Sequence, residues 1–321
     1  MQKIIKEQNS MYDEAKLNNA AEQGDSFMNA TGKLEYTLTN DYLFHVVMQK
    51  NEKVLRGLIG SLLGLEQDDI KSVLLKNPIV FGEAIGDKDV ILDLKVVLND
   101  DQMLNIEMQV KKREDWPERS LTYLCKNFDN LKSGQDYSEV MPCLHIGIID
   151  FVLFEGKSEF YSRYRLMNIN DHHVYTSKFG INVLNLRYIE NATNDDRNAE
   201  LDAWARLFKA GTWEELKQMA QEYDFAKEAA TSIYAVSADE AIKLQCEARE
   251  RNERDMLSSY RAGIRHEQAN TEHERKRADS EKKRADKNES DLNKTKDDLN
   301  KTKNDLDNAN KRIKELEALL K

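Results

Sequence analysis

The sequence predicts an α/β fold in which a mixed β-sheet is flanked by helices, followed by a helical subdomain and a C-terminal coiled coil. Residues 87–111 form two β-rich runs around a short polar turn, which is typical of a hairpin. Residues 141–154 are apolar on both strand faces, which predicts a central strand in a sheet covered on both sides. Only 3 prolines and 13 glycines interrupt the chain, and this favours long helices.

Changes in composition divide the 321 residues into four predicted segments, with ample length for a substantial core. These are a polar N-terminal extension (1–36), the α/β core (37–195), a helical subdomain (196–245) and a long helix or coiled coil (246–321).

A helix and a strand are predicted before the hairpin. Apolar residues recur at helical spacing from an N-cap at Asn40 or Asp41 to a terminating Gly64. Residues 70–75 then read as a strand, and residues 81–88 form a flexible loop that leads into the hairpin.

The hairpin carries a carboxylate on each of two neighbouring strands. Asp93 and Lys95 share one face of an otherwise apolar first strand. A three-residue loop over residues 99–101 would set Asp93 opposite or diagonal to Glu107, whereas an even-numbered loop would put them on opposite faces. Direct neighbours lie about 4.5–5.5 Å apart at Cβ, which suits two carboxylates that share a divalent cation. The alternative is a solvated ion-pair face. The second strand alternates between a polar set, Met103, Asn105, Glu107 and Gln109, and an apolar set, Leu104, Ile106, Met108 and Val110.

After the hairpin, a helix is predicted to begin at Trp116 and Pro117 and to end before a C′ residue at Gly134. Arg119 and Tyr123 lie four apart on one face of this helix. They are either an ordinary surface pair or a phosphate contact beside the carboxylates, because Arg can hold a phosphate bidentately. Two further strands are predicted at residues 160–167 and 181–189, and a helical segment at residues 196–245.

The last part of the chain carries a seven-residue repeat. A strict period of seven predicts a left-handed coiled coil, and hence a homo-oligomer. The second core position is weak, because Thr295 and Thr302 occupy it, so a solvated single helix is the alternative. The repeating residues are Ala278, Ala285, Leu292, Leu299, Leu306, Ile313 and Leu320.

The composition predicts the cellular compartment and limits the kinds of partner that are expected. The 3 widely spaced cysteines form no disulfide or zinc pattern, which predicts a reducing cytoplasm. The N-terminus carries no apolar signal segment and no apolar stretch is long enough for a bilayer, so no membrane partner is expected. The net charge of −10 argues against indiscriminate nucleic-acid binding, but a local basic strip beside an acidic metal site is compatible with DNA.

An ordered set of motifs identifies a family. Asp93 on the first strand is followed by Glu107, Met108 and Gln109 on the second, an Asp…Glu-x-Gln pattern. The set resembles the Rpn family of recombination-promoting nucleases, often labelled putative transposases, in the PD-(D/E)xK superfamily, over roughly residues 37–255. The further matches are Thr-Asn-Asp-Tyr-Leu-Phe at 39–44, Leu-Asp at 92–93, Asn-Ile-Glu-Met-Gln at 105–109, Arg-Ser-Leu-Thr-Tyr at 119–123, and the run at 142–154.

The resemblance implies a restriction-endonuclease-like core and a DNA endonuclease that depends on Mg²⁺ or Mn²⁺, linked to recombination or mobile elements. It implies that Asp93 and Glu107 bind the metal together with the Met108 carbonyl. Glu83 in the preceding loop is a candidate to complete the metal site, as are Asp41 and Glu52 on the first helix.

The resemblance also implies a catalytic part for Gln109, which stands where many superfamily members have Lys. Gln can orient a water but supplies no positive charge, which Lys95 or Lys111 could restore. DNA contacts are expected from Arg119, Tyr123 and Lys111.

The second hypothesis is a catalytically weak or inactive nuclease fold that acts as an oligomeric interaction module. The acidic balance of the chain and the Gln at position 109 favour it modestly.

Overall fold

The computed structural model describes residues 27–77, 79 and 93–319. The chain divides into two compact units, Met1–Glu253 and Arg254–Lys321. In the first unit the described strands form a mixed six-stranded sheet with flanking helices, so the predicted α/β class is confirmed. The predicted loop at 81–88, which contains Glu83, and most of the N-terminal extension lie outside the described residues.

The elements follow the chain order that the sequence predicts. The strands are β1 (Val73–Leu75), β2 (Leu94–Leu98), β3 (Gln102–Gln109), β4 (Cys143–Ile149), β5 (Tyr161–Arg165) and β6 (Phe179–Asn185). The α-helices are α1 (Asp41–Lys50), α2 (Glu52–Leu63), α3 (Trp116–Phe128), α4 (Asn194–Asn198), α5 (Leu201–Lys209), α6 (Trp213–Glu222), α7 (Asp224–Ser237) and α8 (Glu240–Leu319).

The sheet has the strand order β1-β2-β3-β4-β6-β5. The pairs β1–β2, β2–β3 and β5–β6 are antiparallel, whereas β3–β4 and β4–β6 are parallel. Every residue of β4 is buried, and the strand lies between β3 and β6, so its predicted central place is confirmed.

The sheet separates two apolar clusters. On one face, Ile106 and Ile146 belong to the main core, to which α1, α2, α5 and α7 contribute. On the other face, α3 packs through Trp116 in a smaller cluster with Ile149 and Val183. A Cβ built on Gly147 in β4 would come within 2.2 Å of Trp116 Cζ2, so only a glycine lets the indole lie this close to the sheet.

Two local predictions are wrong. The helix predicted from Asn40 to Gly64 breaks at Asn51, whose side chain instead accepts from the backbone of Lys53 and caps the start of α2. Helix α3 ends at Phe128, so Gly134 is not its C′ residue. The side chain of Asn130 bonds to the backbone at Asn127 and at Met141, which ties the chain after α3 to the approach to β4.

The second unit consists of the C-terminal part of α8, and all of its described side chains up to residue 316 are exposed. The repeating apolar residues from Ala278 to Ile313 are therefore exposed, with exposed fractions of 68% for Leu299 and 60% for Leu306. The predicted coiled coil stays a prediction. Among the described helices, none combines the length and the apolar character needed to cross a membrane.

Candidate functional site

The β2–β3 hairpin brings the two predicted carboxylates together. Its loop is residues 99–101, as predicted for the odd-numbered case, and Asn99 and Asp100 adopt positive φ angles of 53° and 61°. Leu94 pairs with Ile106, so the next position along this register sets Asp93 opposite Glu107. Both side chains therefore lie on the face of the sheet that α3 covers.

Burial makes the charged state of both carboxylates unfavourable. Asp93 is 2% exposed and Glu107 is 4% exposed. Burial, followed by the charge of Asp93, raises the pKa of Glu107 to about 7, although Arg119 opposes the rise. Burial also raises the pKa of Asp93, against a hydrogen bond from Asn105 and the charge of Arg119. A positive charge or a proton at this pair is therefore strongly favoured.

Asn105 and His145 connect the two carboxylates. Asn105 Nδ2 donates to Asp93 Oδ2 at 3.0 Å and lies 3.0 Å from His145 Nδ1. An amide nitrogen only donates, so Nδ1 of the imidazole accepts and its proton is on Nε2. Nε2 lies 3.6 Å from Glu107 Oε2. Complete burial, and then the charge of Arg119, lower the pKa of His145 to about 3, so the ring is neutral at physiological pH.

Helix α3 supplies the cation of the site. Arg119 Nε donates to Glu107 Oε1 at 3.1 Å, and the guanidinium carbon lies 4.7 Å from the Tyr123 ring centroid. The i,i+4 face predicted for these two residues is thus observed, and it points at the carboxylate pair.

The remaining predicted residues of the hairpin differ in their contacts. Lys95 pairs in register with Asn105, so both share the face of Glu107. Gln109 Nε2 donates to the Lys111 carbonyl at 2.9 Å, and Lys111 Nζ lies 4.0 Å from Glu253 Oε2. The side chain of Met108 is buried in the main core, so only its backbone can serve the site.

The two helix carboxylates have other partners. Asp41 forms a two-bond ion pair with Arg249 at the start of α8. Glu52 is exposed and pairs with Arg56 at 2.8 Å. Within the part of the chain that the structure describes, no group of three or more His, Cys, Asp or Glu side chains has metal-site geometry.

A comparison with protein-family models settles the family. The model of the PD-(D/E)XK nuclease family transposases matches residues 38–263, more than half of the chain. The chain belongs to this family. The predicted membership is confirmed, and with it a nuclease-like, transposase-like function. Neither the curated proteins nor the solved structures give a match.

PD-(D/E)XK nucleases generally use divalent metals, and the oxygen atoms at the site of this protein are suitable ligands for a divalent metal ion. Glu107 Oε2 and Asn105 Oδ1 are buried and make no hydrogen bond to the described residues. Carboxylate and amide oxygens are the ligands that hard cations such as Mg²⁺ prefer. A divalent cation would also neutralise two neighbouring carboxylates whose charged forms burial penalises.

Sequence reasoning missed His145 as a site residue, and it included Asn105 in the polar set of its strand and in the motif at 105–109 without giving it a role. Both are almost fully buried polar side chains. The signal for His145 is that it and Asp150 are the two strongly polar residues in the otherwise apolar run at 141–154. Its partner depends on the parallel pairing of His145 with Asn105, which no local pattern reveals.

We expect the metal-free PD-(D/E)XK protein to lose stability as the pH rises from about 4.5 to about 7. In that window the folded protein holds a proton on Glu107 that the unfolded chain has released, so folding becomes less favourable as the proton is lost. The contribution of Glu107 is on the order of 3 kcal/mol.

Urea unfolding in a chelating buffer at about pH 5 and about pH 8 measures this effect. The decrease in the free energy of unfolding between these pH values should be smaller in Glu107→Gln, which keeps the shape of the side chain but does not titrate. An equal fall in the parent and in the variant would contradict the assignment.

Proposed function

We propose that this protein is a DNA endonuclease that hydrolyses phosphodiester bonds with Mg²⁺ or Mn²⁺. The observation that carries the proposal is the buried pair Asp93 and Glu107 on adjacent strands of a chain in the PD-(D/E)XK family. The link to recombination or mobile elements follows from the transposase-like family and is part of the proposal.

Asp93 and Glu107 would bind the cation through their side chains, and Met108 through its backbone carbonyl. Glu83, outside the described residues, is the candidate for a further ligand. When bound, the cation lowers the pKa of a water and neutralises charge on the scissile phosphate.

The surrounding residues hold the carboxylates in place and meet the substrate. Asn105 fixes Asp93 by a hydrogen bond, and His145 presents its Nε2–H towards Glu107. In the metal-free protein Arg119 donates a hydrogen bond to Glu107 and supplies the positive charge beside it. When a cation replaces that charge, the guanidinium becomes available to the phosphate, and the Tyr123 ring beside it limits its motion. Lys111 would add a second positive charge, beside that of Arg119, for contact with the DNA backbone.

Incubation of the pure full-length protein with supercoiled plasmid tests the function. Nicking is expected with Mg²⁺ or Mn²⁺ and not in EDTA, and it should disappear in Glu107→Gln. Cleavage that persists unchanged in the variant would indicate a contaminating nuclease. Absence of cleavage under all metal conditions would favour the oligomeric interaction module instead.

Gln109 is proposed to orient the attacking water through its side-chain amide, while Lys95 on the same face supplies the positive charge that Gln109 lacks. Gln109→Ala should lower the cleavage rate by about tenfold to a hundredfold, and Gln109→Lys should retain or raise it. Rates measured at saturating Mg²⁺ check this. An unchanged rate in Gln109→Ala would show that the side chain has no part in catalysis.

We propose that the C-terminal part of α8 forms a coiled coil that sets the oligomeric state. Leu292, Leu299, Leu306 and Ile313 keep a period of seven, and each is more than half exposed. Such a stripe can bury its apolar surface only against another helix. Because Thr295 and Thr302 occupy the second core position and are exposed, each heptad contributes little.

A chain ending at Glu253 is therefore expected to stay folded and to have a lower mass in light scattering than the full-length protein. The full-length mass should fall on dilution, because the heptads are weak. The same oligomeric state for both proteins at every concentration would show that the C-terminal part of α8 is a solvated helix.

A further inference from the structure

A cavity of about 250 Å³ opens at the end of the sheet where β3, β4 and β6 begin. Arg163, Arg165 and Asn182 line its polar side, and Leu62 and Leu144 belong to its apolar side. The cavity thus combines positive charge with apolar surface, a combination suited to an organic anion.

The cavity is separate from the carboxylate site. Asn182 pairs with Ile146 of β4, so it lies on the main-core face of the sheet, whereas Glu107 pairs with Gly147 and faces α3. Along β3, Gln102 lines the cavity and lies five residues before Glu107, a strand length of about 17 Å.

Among the described residues, neither arginine of the cavity has an acidic partner. Arg165 Nη1 donates to Asn182 Oδ1 at 3.0 Å and to the Tyr164 carbonyl at 2.8 Å. The Arg163 guanidinium carbon lies 5.2 Å from the Tyr161 ring centroid. Within the described part of the chain, no carboxylate oxygen lies within 4.0 Å of either guanidinium. Partial burial lowers the pKa of Arg165, and the neighbouring charge of Arg163 acts in the same direction.

The polar groups of the cavity are held in position before any ligand binds. Asn182 is 2% exposed, and its Nδ2 donates to the Tyr161 hydroxyl at 2.8 Å. The Tyr161 hydroxyl in turn donates to the Leu62 carbonyl. The amide oxygen of Asn182 is thereby aimed at Arg165, so the guanidinium needs little reorganisation to bind an anion.

We propose that this cavity binds a small phosphomonoester through Arg163 and Arg165, with the apolar body of the ligand against Leu62 and Leu144. Two guanidinium groups match the charge of a phosphate dianion, and the planar fork of Arg donates two parallel hydrogen bonds to it. A carboxylate carries half that charge and should bind more weakly. The cavity does not depend on the proposed nuclease chemistry.

Calorimetric titration of the full-length protein with phenyl phosphate, in EDTA and low salt, tests the proposal. Saturable binding is expected, and benzoate should bind at least about tenfold more weakly. Arg163→Gln should lower the affinity for phenyl phosphate by about tenfold or more. The double variant Arg163→Gln with Arg165→Gln should show no binding. The matched control is Lys157→Gln, which removes the same charge from an exposed side chain outside the cavity.

Arg163→Gln is the decisive variant, because the Arg163 side chain is exposed and its loss leaves the hydrogen bonds of Asn182 intact. No saturable binding to the parent, or equal affinity in the parent and in Arg163→Gln, would overturn the proposal. Displacement of phenyl phosphate by a duplex oligonucleotide without terminal phosphates would overturn the assignment to a small ligand. Glu107→Gln should bind phenyl phosphate like the parent, even if the nuclease assignment fails.

Discussion

Asp93→Asn is expected to lower metal-dependent DNA cleavage by about a thousandfold or more, which corresponds to about 4 kcal/mol of lost transition-state stabilisation. Asn has the shape of Asp but removes one of two charges at the proposed cation site. Because the side-chain oxygen of the new Asn can still accept the hydrogen bond from Asn105, the variant should keep its fold. Single-turnover cleavage of a labelled duplex at several Mg²⁺ concentrations measures the loss.

The matched control is Asp101→Asn, which removes the same charge from an exposed position in the loop of the same hairpin. Its cleavage rate should equal that of the parent. In metal-free buffer Asp93→Asn should also be more stable than the parent, because repulsion between two buried carboxylates is relieved. Full cleavage activity in Asp93→Asn would contradict the assignment of Asp93 to the metal.

Gly147→Ala is expected to lower the free energy of unfolding by about 2–4 kcal/mol. The new Cβ would meet Trp116 Cζ2 at 2.2 Å, and Trp116 is only 2% exposed, so the indole has little room to move. Helix α3 must then shift away from the sheet and carry Arg119 away from Glu107. Urea unfolding measures the loss of stability, and cleavage should fall with it.

Trp116→Leu provides the partner for a double-mutant cycle. The double variant Trp116→Leu with Gly147→Ala should lose less free energy of unfolding than the two single variants lose together, because the smaller side chain leaves room for the methyl group. Gly263→Ala is the control, since a Cβ there meets nothing within 4 Å. If the losses of unfolding free energy in Trp116→Leu and Gly147→Ala are additive, the close contact does not constrain α3.

Much of the site follows from local sequence patterns. The alternation on residues 103–110 reduced the placement of Asp93 to two choices of face, because the side-chain period of a strand is two. The structure has the odd-numbered loop at 99–101, which sets Asp93 opposite Glu107. The central place of β4 followed from its continuous apolar run. Spacing along one helix was enough to put Arg119 beside Tyr123.

The rest depends on contacts between segments far apart in the chain. His145 meets Asn105 only through the parallel register of β3 and β4, 40 residues apart, and the close approach of Trp116 to Gly147 requires α3 to pack on β4. The break at Asn51 was missed because the apolar pattern continues through it, while a side-chain cap starts a new helix. The pairing of Asp41 with Arg249 depends on the start of α8.

The central claim is that Asp93 and Glu107 bind one divalent cation. Calorimetric titration of Mg²⁺ into the parent and into Asp93→Ala at about pH 6 tests it most directly, in two buffers that differ in ionisation enthalpy. The pKa of Glu107 near 7 means that this carboxyl is largely protonated at that pH, so Mg²⁺ binding to the parent should release a proton. The account predicts weak binding with proton release in the parent and little binding in Asp93→Ala. Equal binding by the two proteins, with no proton release, would contradict it.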